Sequence, residues 1–583
     1  MAEEGRFAID DYLVYQPSTD KGDLIRLPTQ KAEYTLGGKR FRLCWVDMEW
    51  TFYPVGDHPL GEGVEKAAMV ELCCSGDIGY VPWTGHFHPN KPPGSSFLAL
   101  PGYFIIWHVE KWFGINPDHW WILDVNAWLV SVCSVALISA LGCVLFFRLA
   151  LDFAEGALLP ALLATVTFAF GTTFFPFSTL LFDHNLTASL LVAAFYFLRI
   201  VKKGLPETAQ NRALFLAGLC AGLAAITNYI AAVVVIFLGI YALLADDRTS
   251  PNWRLAILYS IGVIPPFLLI CWYGWACFGS PFKLSTDFQN PLFKDTNAVL
   301  GMFGMPSGWS LSILLVSPFR GLFYFSPVLI MGVVGIVVWL LNRKLVAEAR
   351  LCLAISVFFY LVTASFNGYH GGYAAGPRYL IPGIPFLALP LAVAFSRWRV
   401  ITSALALVSI CANVLLTATD AQNPVGVGGH TRAEGKHSEW TYDLIGEYAW
   451  PLFVSGRAWP LLHQQIEMYL DKEREHITTE TDSPAEQKKR EGEIRSQLMS
   501  SIDRAEASPF LLGSIEGPVS VNPMGPYEGL FTYQFFPPRS PQCVWASFNL
   551  GEFLWPQSRW SLLPLLLISG GLCFWAARQA KAA

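Results

Sequence analysis

Charge is what this sequence has least of. Only 15% of its 583 residues are Asp, Glu, Lys or Arg, where an ordinary soluble chain carries about 25%. The net charge of -5 supplies no basic face, so nucleic acid is not an expected partner. Nucleotide chemistry is missing too: there is no phosphate-cradling Walker loop, no dinucleotide fingerprint after a strand and no Gly-x-Ser-x-Gly elbow. No cofactor is therefore required, although a divalent metal stays open. Most of the 12 cysteines, such as Cys133, Cys143, Cys220 and Cys271, lie in apolar runs and read as small hydrophobes. Cys44, Cys73, Cys74 and Cys543 lie in polar stretches, and their spacing fits no zinc motif. His86-Phe-His88 offers two imidazoles without spaced carboxylate or thiolate partners, so no metal centre is expected there.

What is present is apolar length. The chain is 53% hydrophobic, with 42 Phe, 21 Trp and 21 Tyr, and long runs are uninterrupted by charge. Taking roughly 17–25 apolar residues per crossing, we read a polytopic α-helical membrane protein with about eleven transmembrane helices. They fall at 125–147, 157–175, 185–201, 212–227, 229–245, 255–278, 322–341, 351–366, 379–395, 401–417 and 560–577. Only Asn228 separates the fourth from the fifth, which leaves room for one long or re-entrant element. Pro265-Pro266 is expected to break the sixth.

Basic residues set the orientation. One alternate set of short loops holds Arg148, Lys202, Lys203, Arg212, Arg248, Arg254, Arg343, Lys344, Arg350, Arg397, Arg399, Arg578 and Lys581. The opposite set holds only Lys283, Lys294, Arg320 and Arg378. The positive-inside bias makes the first set cytoplasmic. Residues 1–95 then form a polar first outer loop, and 96–124 an interfacial helix, apolar with His108, Glu110 and Lys111 along it, and its approach. A crossing there would move every later loop to the side the basic residues contradict. Segment 125–417 is the transmembrane core, 418–558 a second outer segment, and 559–583 the last helix with a cytoplasmic tail. A polar outer loop at the start calls for an exporting helix upstream of Met1, which would be the twelfth.

Four groups of residues on the outer side can carry chemistry. Asn90-Lys91-Pro-Pro-Gly holds a lysine at headgroup level in an extended turn, to meet a lipid phosphate or simply to snorkel. Phe182-Asp183-His184 enters a helix at its positive end, so Asp183 is a site acid or that helix's N-cap. Arg320, in Ser-Pro-Phe-Arg-Gly-Leu-Phe-Tyr-Phe-Ser-Pro, stands outside a crossing against the basic-residue trend. The fourth is the glycine-rich loop from Phe366 to Arg378, where Tyr369, His370 and Tyr373 accompany the arginine. Irregular backbone at membrane depth is tolerated only where it lines a cavity or meets water. Two arginine forks there would suit phosphate oxygens. The dense charge between 464 and 507 reads as a solvated helical hairpin.

In this order, these motifs resemble the GT-C superfamily of membrane glycosyltransferases, in the bacterial branch related to protein O-mannosyltransferases and the aminoarabinose transferase of lipid A. Lys91-Pro-Pro-Gly is similar to the lysine-proline signature closing the family's first outer loop, and Phe182-Asp183-His184 to its second-loop site. The Arg320 and Gly376-Pro-Arg378-Tyr-Leu-Ile-Pro stretches are similar to later signatures, and Ser547-Phe-Asn-Leu-Gly-Glu552 is familiar too. The resemblance implies a bacterial inner-membrane enzyme that moves a sugar, with inversion, from a polyprenyl-phosphate donor to a glycan, glycolipid or protein acceptor at the outer face. It implies donor-phosphate binding by Lys91, Arg320 and Arg378, and a substrate pocket with Asn90, Tyr369, His370 and Tyr373. Asp183 and His184 are the catalytic candidates. The family's usual base, an acid just after the first helix, has no counterpart downstream of Met1, and Asp10 and Asp11 are the nearest acids. A non-catalytic lipid-linked-sugar carrier or flippase, or a truncated pseudoenzyme, is the alternative expectation.

Overall fold

Apolar helices dominate the fold because each apolar run is long enough to satisfy its backbone internally, as a bilayer requires. The computed structural model describes residues 1–17, 24–26, 33–36, 39–46, 49–54, 72–73, 78–244, 252–288, 299, 301–342, 345–371, 375–419, 443–455, 483–504, 563 and 567–571. Ahead of the helices lie short antiparallel strands, ending in a hairpin of β1 (Ile78–Val81) and β2 (His86–Pro89) with Gly79 opposite His88. Helix α1 (Gly94–Phe113) follows, with Ile105, Trp112 and Phe113 largely exposed.

The helical core comprises α2 (Val125–Phe153), α3 (Leu158–Phe170), α4 (Asp183–Lys202), α5 (Glu207–Thr227), α6 (Tyr229–Leu243) and α7 (Trp253–Phe278). It continues with α8 (Gly308–Val316), α9 (Leu329–Leu341), α10 (Val346–Ser365), α11 (Arg378–Ala388), α12 (Leu391–Arg397) and α13 (Arg399–Thr419). Among the described residues six helices are long and apolar enough to cross a membrane, or seven with α11 and α12 taken as one span bent by 50°. Ten of the eleven expected crossings have an apolar helix or helix pair at their place among the described residues. Three expected crossings are shorter apolar helices, α3, α6 and α9. The run at 322–341, for example, is cut at Ser326, whose φ of -140° and ψ of 64° precede Pro327, and a residue before proline resists helix. Of the crossing expected at 560–577, only residues 563 and 567–571 are described.

A correction concerns Pro265-Pro266, which lie inside the continuous 26-residue α7. Proline costs a helix one hydrogen bond, but a close neighbour can accept the bend. Here that neighbour is α5: a β carbon on Gly222 would sit 2.9 Å from Pro266, and one on Gly218 1.9 Å from the Tyr259 carbonyl. Glycine at both positions lets the two backbones touch, as membrane helix pairs require.

Helix α4 is the centre of the bundle. In its most apolar stretch 72% of the residues are buried, against 22% to 44% in the other five long helices. Its far end carries a buried ionic cluster. Glu348 Oε1 accepts from Arg199 Nη1 at 2.8 Å, Lys202 Nζ at 2.9 Å and the Tyr241 hydroxyl at 2.8 Å. Arg199 Nε also reaches Asp152 at 2.7 Å, and Lys203 pairs with the same carboxylate. Asp183 and Lys202 are the first and last residues of α4, about 28 Å apart at 1.5 Å per residue. Of the charged stretch 464–507, the helix Pro484–Arg504 is described.

Candidate active site

Asp183 opens α4 but does not cap it. The residue ahead of the helix is Phe182, and no side chain caps the first turn. The Asp183 carboxylate instead turns across to Asn228, whose Nδ2 donates to Oδ2 at 2.8 Å. With 24% of its side chain exposed, the carboxylate can be reached from outside. His184 cannot, being 3% exposed. Its ring lies parallel to Phe182 and edge-on to Tyr379 at 5.2 Å, with Nδ1 3.5 Å from Asp183 Oδ1 and without a hydrogen bond. Accessibility thus separates two neighbours that share a motif.

Arg378 comes to the same place from α11. Its guanidinium stands 5.0 Å from the Phe182 ring centre and 5.2 Å from that of Tyr379, so two aromatic faces hold it by cation–π attraction. Lys91 is exposed, and its charge acts on the His184 ring together with those of Asp183 and Arg378. Asp183, His184 and Arg378, from two distant stretches, therefore meet at the first turn of α4, with the Lys91 charge in electrostatic range of the His184 ring.

The lysine loop is pinned from behind. The Ser285 hydroxyl donates to the Lys91 carbonyl at 3.0 Å and meets the Tyr229 hydroxyl at 3.2 Å. Gly94 packs so tightly on α5 that a β carbon would fall 2.5 Å from the Thr227 nitrogen and hydroxyl. That contact is a physical reason for glycine after Lys-Pro-Pro. Asn90 is buried, with Oδ1 unpartnered.

Arg320 is in a different situation. It is 1% exposed, with its guanidinium 3.8 Å from the Phe319 ring centre. Nε donates to the His370 carbonyl and Nη1 to that of Phe319 at 3.4 Å, while Ser317 Oγ accepts from the Arg320 backbone N–H at 3.1 Å. Beside His370, a β carbon on Gly371 would meet Arg378 Cγ at 3.3 Å. The two arginines thus meet the loop at adjacent residues, Arg320 from its buried side. Tyr369 and His370 pack edge to face at 5.9 Å, and Tyr373 lies outside the described residues, as does Glu552. Beyond α13 the chain returns to this loop, where Tyr324 donates to Asp443 at 2.5 Å and Leu444 packs among Phe319, Phe325 and Ala375.

Asp10 and Asp11 are both engaged elsewhere. Asp10 is buried against the β1–β2 hairpin, its Oδ2 2.9 Å from His86 Nδ1 and its Oδ1 accepting the Phe87 N–H at 3.0 Å. Asp11 pairs with Arg6. Burial pushes the His88 imidazole below its ordinary range, with Asp10 opposing. Among the described residues no three His, Cys, Asp or Glu side chains gather to hold a metal ion. Asn228, Tyr229 and Ser285 were missed by the motif reading. The one signal was Asn228, the lone polar residue between two apolar runs.

No family model and no curated protein matches the chain. Among solved structures, it is similar to ArnT from Cupriavidus metallidurans in the apo state, at 17% identity over 58% of this chain and 56% of that one, TM-score 0.34. The same protein bound to undecaprenyl phosphate matches at 15% identity over 57% and 54%, again with TM-score 0.34. The matched part of each of those chains is a little over half its length.

Proposed function

We propose that this multi-pass membrane protein is a glycosyltransferase that takes its sugar from a polyprenyl-phosphate donor at the outer face of the bacterial plasma membrane. One observation carries the reading: Arg378, with the Lys91 charge in range of the same turn, comes to the residues flanking a reachable carboxylate, Asp183, at one end of the most buried of the six long helices described. Roughly 30 Å away, at the other end, Arg199, Lys202 and Lys203 mark the side that the basic-residue bias makes cytoplasmic.

The chemistry follows from those groups. A phosphate leaves as an anion, so its departure needs fixed cations more than a proton donor. Lys91 supplies a mobile point charge, and Arg378 a fork whose plane is set by two aromatic rings. Asp183 takes the proton from the acceptor hydroxyl or amine opposite the phosphate, which inverts the sugar carbon through an oxocarbenium-like state. Buried His184 packs behind that acid, between Phe182 and Tyr379. Arg320 supports the phosphate end by holding the backbone of the loop that carries Arg378.

Whatever the sugar, the leaving group is the same, so the assay follows polyprenyl phosphate released from lipid-linked sugars extracted from bacterial membranes. Wild-type protein in lipid nanodiscs releases it, whereas Lys91→Ala and Arg378→Ala fall at least about 100-fold while remaining folded. Undiminished release by both variants removes the phosphate reading. Transbilayer movement of donor without release points instead to a carrier. Cysteines placed at positions 96 and 181 should react with an impermeant thiol reagent in intact cells, and reaction only after lysis would invert the orientation.

A further inference from the structure

Asn228 interrupts the chain between α5 and α6 with φ -142° and ψ 111°. Its carboxamide is used at both ends. Oδ1 accepts the Ile230 N–H at 3.1 Å and so caps the first turn of α6, while Nδ2 donates to Asp183 Oδ2 at 2.8 Å. Because a main-chain donor claims the oxygen, the amide has one orientation, with its N–H toward the acid. The residues on either side hold the lysine loop: Thr227 packs on Gly94, and Tyr229 meets Ser285, which donates to the Lys91 carbonyl. Three consecutive residues at one helix break therefore hold both the acid and the lysine loop.

We infer that Asn228 is a positioning residue: its amide fixes one oxygen of Asp183 so that the other, Oδ1, is aimed at the acceptor's proton. The inference rests on the proposed role of Asp183 as the base. The first turn of α4 offers this carboxylate no cap bond, so a second element must set its rotamer, and small errors in base geometry are costly in rate. The titratable group nearest it is His184, whose ring also lies in the field of Lys91 and Arg378.

Capping and positioning make opposite demands on position 228, and two variants separate them. Aspartate is as good a cap as asparagine and alanine is a poor one, so Asn228→Asp keeps the α6 cap and Asn228→Ala loses it. Toward Asp183 the order reverses, because alanine only removes a donor while aspartate puts a second carboxylate against the first. In the release assay, kcat should fall about 10-fold in Asn228→Ala and about 100-fold in Asn228→Asp, with donor KM unchanged in both. The thermal midpoint should be lower for the alanine variant. A cap-only role predicts near-normal turnover for Asn228→Asp and the larger loss for Asn228→Ala, which would overturn the inference. Should the aspartate variant fail to fold, Asn228→Ala decides: lower kcat at constant KM supports positioning, and normal kcat overturns it. Asp183→Asn is the control. If it retains turnover, the base reading fails and takes the inference with it; if it is inactive while Asn228→Asp works normally, only the inference fails.

Discussion

Replacing Arg320 by alanine or lysine separates a brace from a phosphate ligand. The guanidinium is 1% exposed and donates to two main-chain carbonyls, those of His370 and Phe319. Alanine removes the charged hydrogen bond to the part-buried His370 carbonyl, at about 1.5–3 kcal/mol. It also opens a void beside Phe319, whose lining loses its packing contacts. Together the loss is roughly 3–4 kcal/mol, between two and three decades in an equilibrium constant at 1.36 kcal/mol per decade. Lysine keeps the charge but has no fork to reach both carbonyls, so it should recover less than half of the loss. The assay is thermal unfolding in detergent at a fixed scan rate, paired with donor binding on the folded fraction. We expect the apparent midpoint to fall by roughly 5 °C or more in both variants, with donor affinity on surviving protein reduced less than about 10-fold. An unchanged midpoint with donor binding lost would refute the brace and restore Arg320 as a direct phosphate ligand.

Gly94→Ala forces a β carbon to within 2.5 Å of the Thr227 backbone, so α1 must shift and carry Lys91 with it; release should drop at least about 10-fold, and normal turnover would show that the contact relaxes freely. Glu348→Gln leaves Arg199 and Lys202 short of a counter-charge in the buried cluster; a loss of about 3–5 kcal/mol is expected, read as a lower thermal midpoint with the donor KM of the folded enzyme unchanged. For His88, burial depresses the folded-state pKa, so below about pH 6.5 the unfolded chain takes up a proton that the folded chain resists. Its contribution to stability is complete above that pH and declines as pH falls through the folded value. The stability gap between wild type and His88→Gln should therefore change between pH 7.5 and 5.5 in that direction, and a gap constant with pH would contradict the assignment.

The four outer motifs were legible because each lies where a long apolar run ends in residues that have no business in hydrocarbon: Lys91 among prolines, Asp183-His184 after phenylalanines, Arg320 and Arg378 in glycine-flanked turns. Counting helices was less secure, since apolarity continues through turns such as Ser326-Pro327 that stop a helix without adding charge. Pro265-Pro266 misled in the other direction, because the accommodating partner, Gly222, is 44 residues away in the chain. Local reasoning could place Asp183 at a helix start but not tell that its carboxylate would choose Asn228 over its own backbone. Nor could it tell that a loop carbonyl would engage the Arg320 fork. Both outcomes depend on partners 45 and 50 residues distant in sequence. The Glu348 cluster was hidden for the same reason, its carboxylate and Arg199 being 149 residues apart.

The central claim is that a polyprenyl phosphate binds at the first turn of α4. Photolabelling tests it most directly: a polyprenyl phosphate with a photoreactive group beside its phosphate is irradiated with the protein in vesicles, and the labelled peptides are mapped. The account predicts labels on the stretches around Lys91, Phe182 and Tyr379, competed away by unmodified undecaprenyl phosphate and lost in the Lys91→Ala, Arg378→Ala double variant. Competable labels confined to the opposite end of α4, around Arg199 and Lys202, would contradict it.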